Sequence, residues 1–522
     1  MLRKTLGAVC GTSLALIVAP GSSHAGGFEY PENGSIAMGR GGAFVARADD
    51  PSALMLNTAG MMGAQGLQIS VSSNLAFLNH CFTRTGGYQG FNQGVNVATD
   101  GTVFARPDGN DYSTGDPAHQ GMPYAYPQVC NDGTPFPAPQ ILATYRINRY
   151  FAVGVGVYGP NSIGRHEWPD EVTVGNGLRA PSPNRYMLLS ENLLILHPTI
   201  AIAGAPLPWL RIGVGLQPSF ASFEFSTMAN ALSGQSPDGD IRTTIHAGGW
   251  FFAFNAGLQL VAPRFFTVGA HVHYNPEQVD LSGQATATSQ YYAQPESNRI
   301  SSTFTVDHMK VALPLQVRWG VRFAWPRTGS VPQTDPSYSP MHDDVFDIEA
   351  NWIYERSSVF QNLTLENSGT IMVAPGTVTP APTPLNVPHN FHDIFGFRIG
   401  GDVNIIPNRF TMRAGVSYEM GAQSRFYGQL DLPAYTMAGF HAGLSVRVAM
   451  LTISAAYGGF YIPDFDVLSA PGGNVSTIGT MGPVQESMCT SGSAGADVCH
   501  VNVGHYSTTL HTVNLGITAR FM

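Results

Sequence analysis

The sequence predicts an all-β protein, a 14-stranded antiparallel transmembrane β-barrel whose lumen is plugged by an N-terminal hatch. Three observations predict it. Long stretches alternate between apolar and polar or small residues, which is the side-chain period of a strand. The connections between those stretches are short and long by turns. Charged residues make up only 12% of the chain, about half the usual ~25%, yet no stretch beyond the N-terminus is apolar enough for a transmembrane helix.

The first 25 residues read as an export signal. Arg3 and Lys4 start it, Leu6–Ala19 is apolar but too short to span a bilayer as a helix, and Ser23-His24-Ala25 offers small residues for cleavage. The mature chain is expected to begin at Gly26. Residues 26–62 form the second unit, a hatch. This leader has too many glycines for a stable helix and no period-2 alternation, so it reads as neither element of the wall. Residues 63–522 form the third unit, the barrel with its long external loops.

Strands are expected near 66–80, 139–148, 150–159, 191–204, 210–222, 249–262, 265–276, 304–325, 342–361, 391–406, 409–421, 436–447, 450–460 and 506–521. In Asp347–Glu355, Ile348, Ala350, Trp352 and Tyr354 share one face, and Asp347, Glu349, Asn351 and Glu355 share the other. Arg409–Glu419 and Thr512–Phe521 alternate in the same way. An array of secreted β-sandwiches is the competing reading of any single strand, but an even count of long strands favours a bacterial barrel. The connections Ile147–Arg149, Ala205–Trp209, Pro263–Arg264, Pro407–Asn408 and Ala449 are short, with Pro326–Met341 as the exception. Cys81–Ala138, Pro160–Ser190, Phe223–Gly248, Glu277–Thr303, Leu363–Asn390 and Tyr461–His505 are long. Trp319, Phe323 and Trp325 are suited to an interfacial girdle.

Formal charge is −9, and removing Arg3 and Lys4 makes the remainder more negative, which argues against nucleic acid as a partner. Cys81 and Cys130 fall in the first long loop and Cys489 and Cys499 in the last. Pairing within each loop is the simplest of three connectivities for an exported chain.

The leader carries Gly27-Phe28, Met38-Gly39-Arg40, Ala48-Asp49-Asp50 and Asn57-Thr58-Ala59-Gly60, and the wall carries the runs 151–160, 196–202, 211–217, 397–402, 410–419 and 504–521. In these the chain resembles the FadL/TodX family of outer-membrane transporters of long-chain fatty acids and other hydrophobic compounds, the first set resembling the family's hatch, with Thr58 where the family has proline, and the second its strands. The resemblance implies a plugged barrel in the outer membrane of a Gram-negative cell. It also implies ligand capture near the outer surface, a move to a site touching the hatch N-terminus, and release sideways through the wall.

On this reading Phe28, Gly39, Arg40, Asp49, Asp50 and Asn57 are the ligand-binding or gating residues. Gly39, Gly41 and Gly42 supply hinges. Arg40, Asp49, Asp50 and Asn57 would sit in a lumen with Arg318, Arg322, Arg398, Arg413, Asp347, Glu349 and Glu355, and buried charges need partners. A hatch-to-wall ion-pair network is the expected use, and an arginine holding a ligand carboxylate the second. Gly154 and Gly156 are candidates for a lateral opening. The expected partners are a hydrophobic small molecule, a fatty acid or an aromatic hydrocarbon, and outer-membrane lipid, around a monomeric chain.

No cofactor and no metal is expected. Gly154–Gly159 matches GxGxxG but lies in a strand with no helix to follow, His271 and His273 lack a third ligand, and His166-Glu167 lacks the second histidine of HExxH. No G-x-S-x-G elbow occurs. The chain therefore reads as a passive, ligand-gated route for hydrophobic compounds and not as an enzyme. A general porin or structural barrel is the first alternative and an outer-membrane lipid hydrolase the second.

Overall fold

The wall is a closed antiparallel barrel of 14 strands. The computed structural model describes residues 33–85, 87–88, 124–159, 164–174, 178–230, 240–289, 301–374, 376–468 and 501–521. The expected signal segment, Phe28, Cys489 and Cys499 lie outside them. In chain order the strands are β1 (Leu67–Arg84), β2 (Phe136–Arg146), β3 (Phe151–Tyr158), β4 (Ser190–Leu207), β5 (Leu210–Asn230) and β6 (Asp240–Val261). Then come β7 (Phe266–Tyr274 and Val279–Ser289), β8 (Ser301–Val311 and Gln316–Pro326), β9 (Asp344–Glu355 and Asn362–Ser368) and β10 (Leu385–Pro388 and Ile394–Ile406). β11 (Phe410–Glu419), β12 (Met437–Val448), β13 (Leu451–Tyr461) and β14 (Gly504–Phe521) complete the wall. Each strand pairs with the next, and β1 pairs with β14 from Leu67↔Phe521 to Arg84↔Gly504, so no edge is left open.

The apolar faces point outward. Ile348 and Trp352 are exposed while Asp347, Glu349, Asn351 and Glu355 are buried. Leu515 and Ile517 are exposed while Thr512 and Asn514 are buried. A water-soluble sandwich would have the reverse polarity; lipid outside and a polar lumen inside explain this one. At the short-turn end Phe323, Trp325, Phe266 and Phe346 meet in a band of ring contacts, as an interfacial girdle does.

Strands β7 to β10 are each interrupted once, at 275–278, 312–315, 356–361 and 389–393. The interruptions lie side by side, so the outer pieces still pair in the same order. Pro276 and Pro314 fall in two of them, where a missing N–H ends a ladder.

The connection after β8 is the long member of the short-turn set. It folds under the barrel: Arg146 donates to Pro336 O at 2.6 Å and Gln65 to Tyr338 O at 2.9 Å. It ends in a short helix, α3 (Pro340–Asp343).

Candidate functional site: hatch and outer cavity

The described part of the leader lies inside the short-turn half of the wall and is almost wholly buried. It contains α1 (Ser35–Gly39), α2 (Ala53–Leu56) and a 3-10 turn (Thr58–Met62). Gly41 (φ +64°) and Gly42 (φ +82°) end α1 in the left-handed region that a side chain resists. Asn57 caps the 3-10 turn, its Oδ1 accepting from Ala59 N at 3.2 Å, and its Nδ2 donates to Val45 O at 2.7 Å and to Leu258 O of β6. Thr58 starts that turn without a proline. Phe44, Leu54 and Met61 form a small core with Leu142, Ala201 and Ala203 of the wall.

Charge fixes the plug to the wall. Arg40 Nη1 donates to Asp347 at 2.6 Å and to Asp402 at 2.7 Å, and Nη2 approaches Glu349 at 3.4 Å. Arg47 reaches Asp402 at 2.7 Å, Asp347 at 3.1 Å and Asp49 at 2.8 Å. Arg322 and Arg413 close the cluster on Asp344, Asp347 and Asp402. The backbone joins in: Ala46 N donates to Glu349 and Phe44 N to Asn351. Three successive lumen-facing residues of β9 therefore hold one hatch loop. Buried charges survive in such a place only when each has partners of this kind. Arg398 pairs separately with Glu419, at 2.9 Å, and Arg185 with Asp240, at 2.8 Å.

Backbone approaches backbone where the wall carries glycine. A Cβ on Gly400 would stand 1.9 Å from Arg40 O, and one on Gly257 2.1 Å from Asn57 Oδ1. Gly213, Gly269, Gly415 and Gly443 face the hatch in the same way. Gly39 meets Gly443.

Of the sequence-predicted residues, Gly39, Arg40, Asp49, Asp50 and Asn57 all lie in this plug. Asp50 accepts from Ser52 N at 2.9 Å. Burial raises its pKa to about 6, against which the Ser52 hydroxyl and amide work. Gly154 and Gly156 do not interrupt the wall. Both are paired on both sides, Gly154 with Thr144 and Ala201 and Gly156 with Leu142 and Thr199. Gly154 instead leaves room for Met61 and Leu54 of the hatch. Pairing on this strand stops later, at Tyr158, and β4 is next paired at Asn192 with Arg165. Asn33 of the hatch donates to Gly159 O beside that stop, at 2.9 Å. Cys81 and Cys130 stand opposite each other and are disulfide-bonded. Sequence reasoning missed Arg47, although it lies in the same short run as Arg40 and Asp49.

Above the plug is an apolar cavity of ≈ 40 Å³, lined by Leu193, Phe223, Met309, Val311, Phe360 and two carboxylates, Glu191 and Asp431. Neither acid was singled out from the sequence. His389 Nε2 lies 3.1 Å from Asp431. Glu191 Oε2 is buried and has no hydrogen-bond partner among the described residues. Among those residues no group of three or more His, Cys, Asp or Glu is arranged to hold a metal.

The barrel, its inner plug and its outer cavity can be set beside known structures. A FadL homologue from Pseudomonas aeruginosa superposes with a TM-score of 0.65 at 16% identity, over 95% of this chain and 100% of that one. The fold is the FadL fold. The toluene transporter TbuX of Ralstonia pickettii matches with a TM-score of 0.57 at 14% identity, over 94% and 99%. The toluene transporter TodX of P. putida matches this FadL-type barrel at 0.58 and 12%, also over 94% and 99%. No protein-family model and no curated protein matches the chain.

Proposed function

We propose that the protein is a FadL/TodX-type transporter that admits hydrophobic molecules passively through the outer membrane of a Gram-negative cell. The observation that carries this reading is the plug: a glycine-hinged segment pinned in the lumen by buried ion pairs, with an apolar cavity on its outer side. A general porin needs a wet, open lumen, which this plug fills. A hydrophobic solute gains ~0.8 kcal/mol for each methylene it buries, so apolar docking sites and a movable stopper suit it better than water. Ligand that stabilises one hatch conformation shifts its population. The stop in β3–β4 pairing after Tyr158, with Asn33 bonded beside it, supports release sideways at that edge.

Uptake of labelled fatty acid and of toluene tests the reading. Cells lacking the protein are complemented with the wild type or with a version deleted from Gly26 to Glu29. The wild type restores uptake and the deletion lowers it. Equal uptake in all three strains removes the transport hypothesis.

A further inference from the structure

We propose that the outer cavity selects small neutral aromatic molecules carrying a hydrogen-bond donor, such as phenols, and rejects carboxylates. The inference rests on the transporter reading and names the chemistry that the route selects.

Three observations converge on it. The first is charge. Among the residues lining the cavity the ionisable groups are Glu191 and Asp431, both acids, and no lysine or arginine lines it. Buried guanidiniums nearby and below are engaged by other acids: Arg185 on Asp240, Arg398 on Glu419, and Arg40, Arg47, Arg322 and Arg413 in the hatch cluster. A ligand carboxylate entering here would lose its water and meet no cation, and an unpaired charge in an apolar site costs several kcal/mol. A carboxylic acid on Glu191 does not repair this, because the shared proton leaves the net negative charge in the cavity.

The second is the vacant acceptor. Asp431 already has His389 at 3.1 Å. Glu191 is 5% exposed and its Oε2 has no partner among the described residues. A buried acceptor left unmade is costly. A ligand O–H that donates to it removes that cost, and a hydrocarbon does not.

The third is size. A dry cavity of about 150 Å³ takes up a benzene ring, so at ≈ 40 Å³ this one admits a single ring only as its lining side chains give way slightly. Phe223, Phe225 and Phe360 line it and offer ring contacts. A long alkyl chain would have to displace several of these side chains.

Toluene, p-cresol and benzoate share one ring and differ in the group at issue. Equilibrium binding of each radiolabelled compound to the purified full-length mature protein in detergent, corrected for protein-free micelles, reads the selection. The expected result is p-cresol about tenfold tighter than toluene and no specific binding of benzoate. Glu191→Leu brings p-cresol to the toluene level, and Glu191→Gln, which keeps an acceptor, preserves the advantage. Retained gel mobility of the unheated barrel shows that each variant is folded; if Glu191→Leu is not, the wild-type trio and Glu191→Gln still decide. Benzoate binding as tightly as p-cresol, or Glu191→Leu leaving the p-cresol advantage intact, overturns the proposal. Cellular uptake separates the two readings. If the purified protein prefers p-cresol but cells import none of the three, transport falls and selectivity stands. If cells import toluene and the purified protein shows no preference for p-cresol, selectivity falls and transport stands.

Discussion

Replacing Arg40 with methionine removes the guanidinium at the centre of the hatch cluster and keeps most of its apolar stem. Four guanidiniums, on Arg40, Arg47, Arg322 and Arg413, meet five carboxylates there, on Asp49, Asp344, Asp347, Glu349 and Asp402. Arg40→Met leaves those carboxylates in excess, with Glu349 losing its ion pair while it still accepts from Ala46 N. Breaking a buried pair from one side costs about 3–5 kcal/mol, and each 1.4 kcal/mol is tenfold. Hatch release should therefore become roughly two to three and a half decades more frequent. A thiol at Thr58, which is fully buried, reports it: in a Thr58→Cys background a membrane-impermeant maleimide labels only when the hatch leaves its seat. Arg40→Met is expected to raise the labelling rate at least a hundredfold and to give measurable single-channel current in planar bilayers. Adding Glu349→Met should recover part of the protection, because it removes the charge left alone. Labelling of Arg40→Met within threefold of the parent would refute the claim that these ion pairs hold the plug.

Three further outcomes follow from the same geometry. Gly400→Ala puts a methyl group against Arg40 O, so it should raise hatch labelling and conductance while the barrel still assembles, as judged by gel mobility of the unheated protein. Asp50 has a pKa of about 6 in the docked hatch against an ordinary 3.8; the docked state binds the proton more tightly, so docking is weakest above pH 6 and strengthens as pH falls from 6 towards 4. The labelling rate, normalised to free cysteine, should fall over that window, and Asp50→Asn should make it flat. Removing the Cys81–Cys130 bridge opens a loop with a sequence separation of 49 residues, a loss of up to about 4 kcal/mol in the chain-entropy account; the paired serine variant should unfold at lower denaturant with the hatch still protected.

Much of the wall was legible because membrane strands advertise themselves. In the membrane half inward residues are mostly polar or small and outward ones apolar, so β3, the inner part of β5, β11 and the inner part of β9 could be read from alternation alone. The glycines were not. Gly154 in β3 suggested a weak point in the wall, yet it is a seat for Met61 and Leu54 of the hatch. A glycine that weakens a ladder and one that admits another backbone look the same in a sequence. The ion cluster was half legible. The lumen acids of β9 follow from its alternation, and the resemblance pointed to Arg40. Arg47 lies in the same loop without a motif to mark it, and its partners come from strands some 300 and 355 residues away.

The outer pieces of β7 and β9 fell in segments expected to be loops, and the reason is physical. In Val279–Ser289, Val279, Leu281, Ala285 and Ala287 are buried, while Asp280, Ser282, Gln284 and Thr286 are exposed. That is the alternation of a soluble sheet, the reverse of the membrane half. β6 shows the change within one strand: Arg242, Thr244 and His246 point out near its start, and Trp250, Phe252 and Phe254 point out beyond it, on the same face. The backbone keeps its period of two throughout, so the switch cannot come from geometry; it records the medium outside, water for the first run and lipid for the second, with Trp250 at 68% exposure near the junction. The same switch explains why the outer lumen can be apolar. Above the membrane the outer face satisfies water, which frees the inner face to bury Phe223, Ile245, Leu281 and Val311 in one apolar cluster. Below it lipid takes the apolar face, and the lumen must be filled by a polar, ion-paired plug. An apolar outer cavity and an ion-paired plug are thus consequences of where the bilayer begins along one continuous wall.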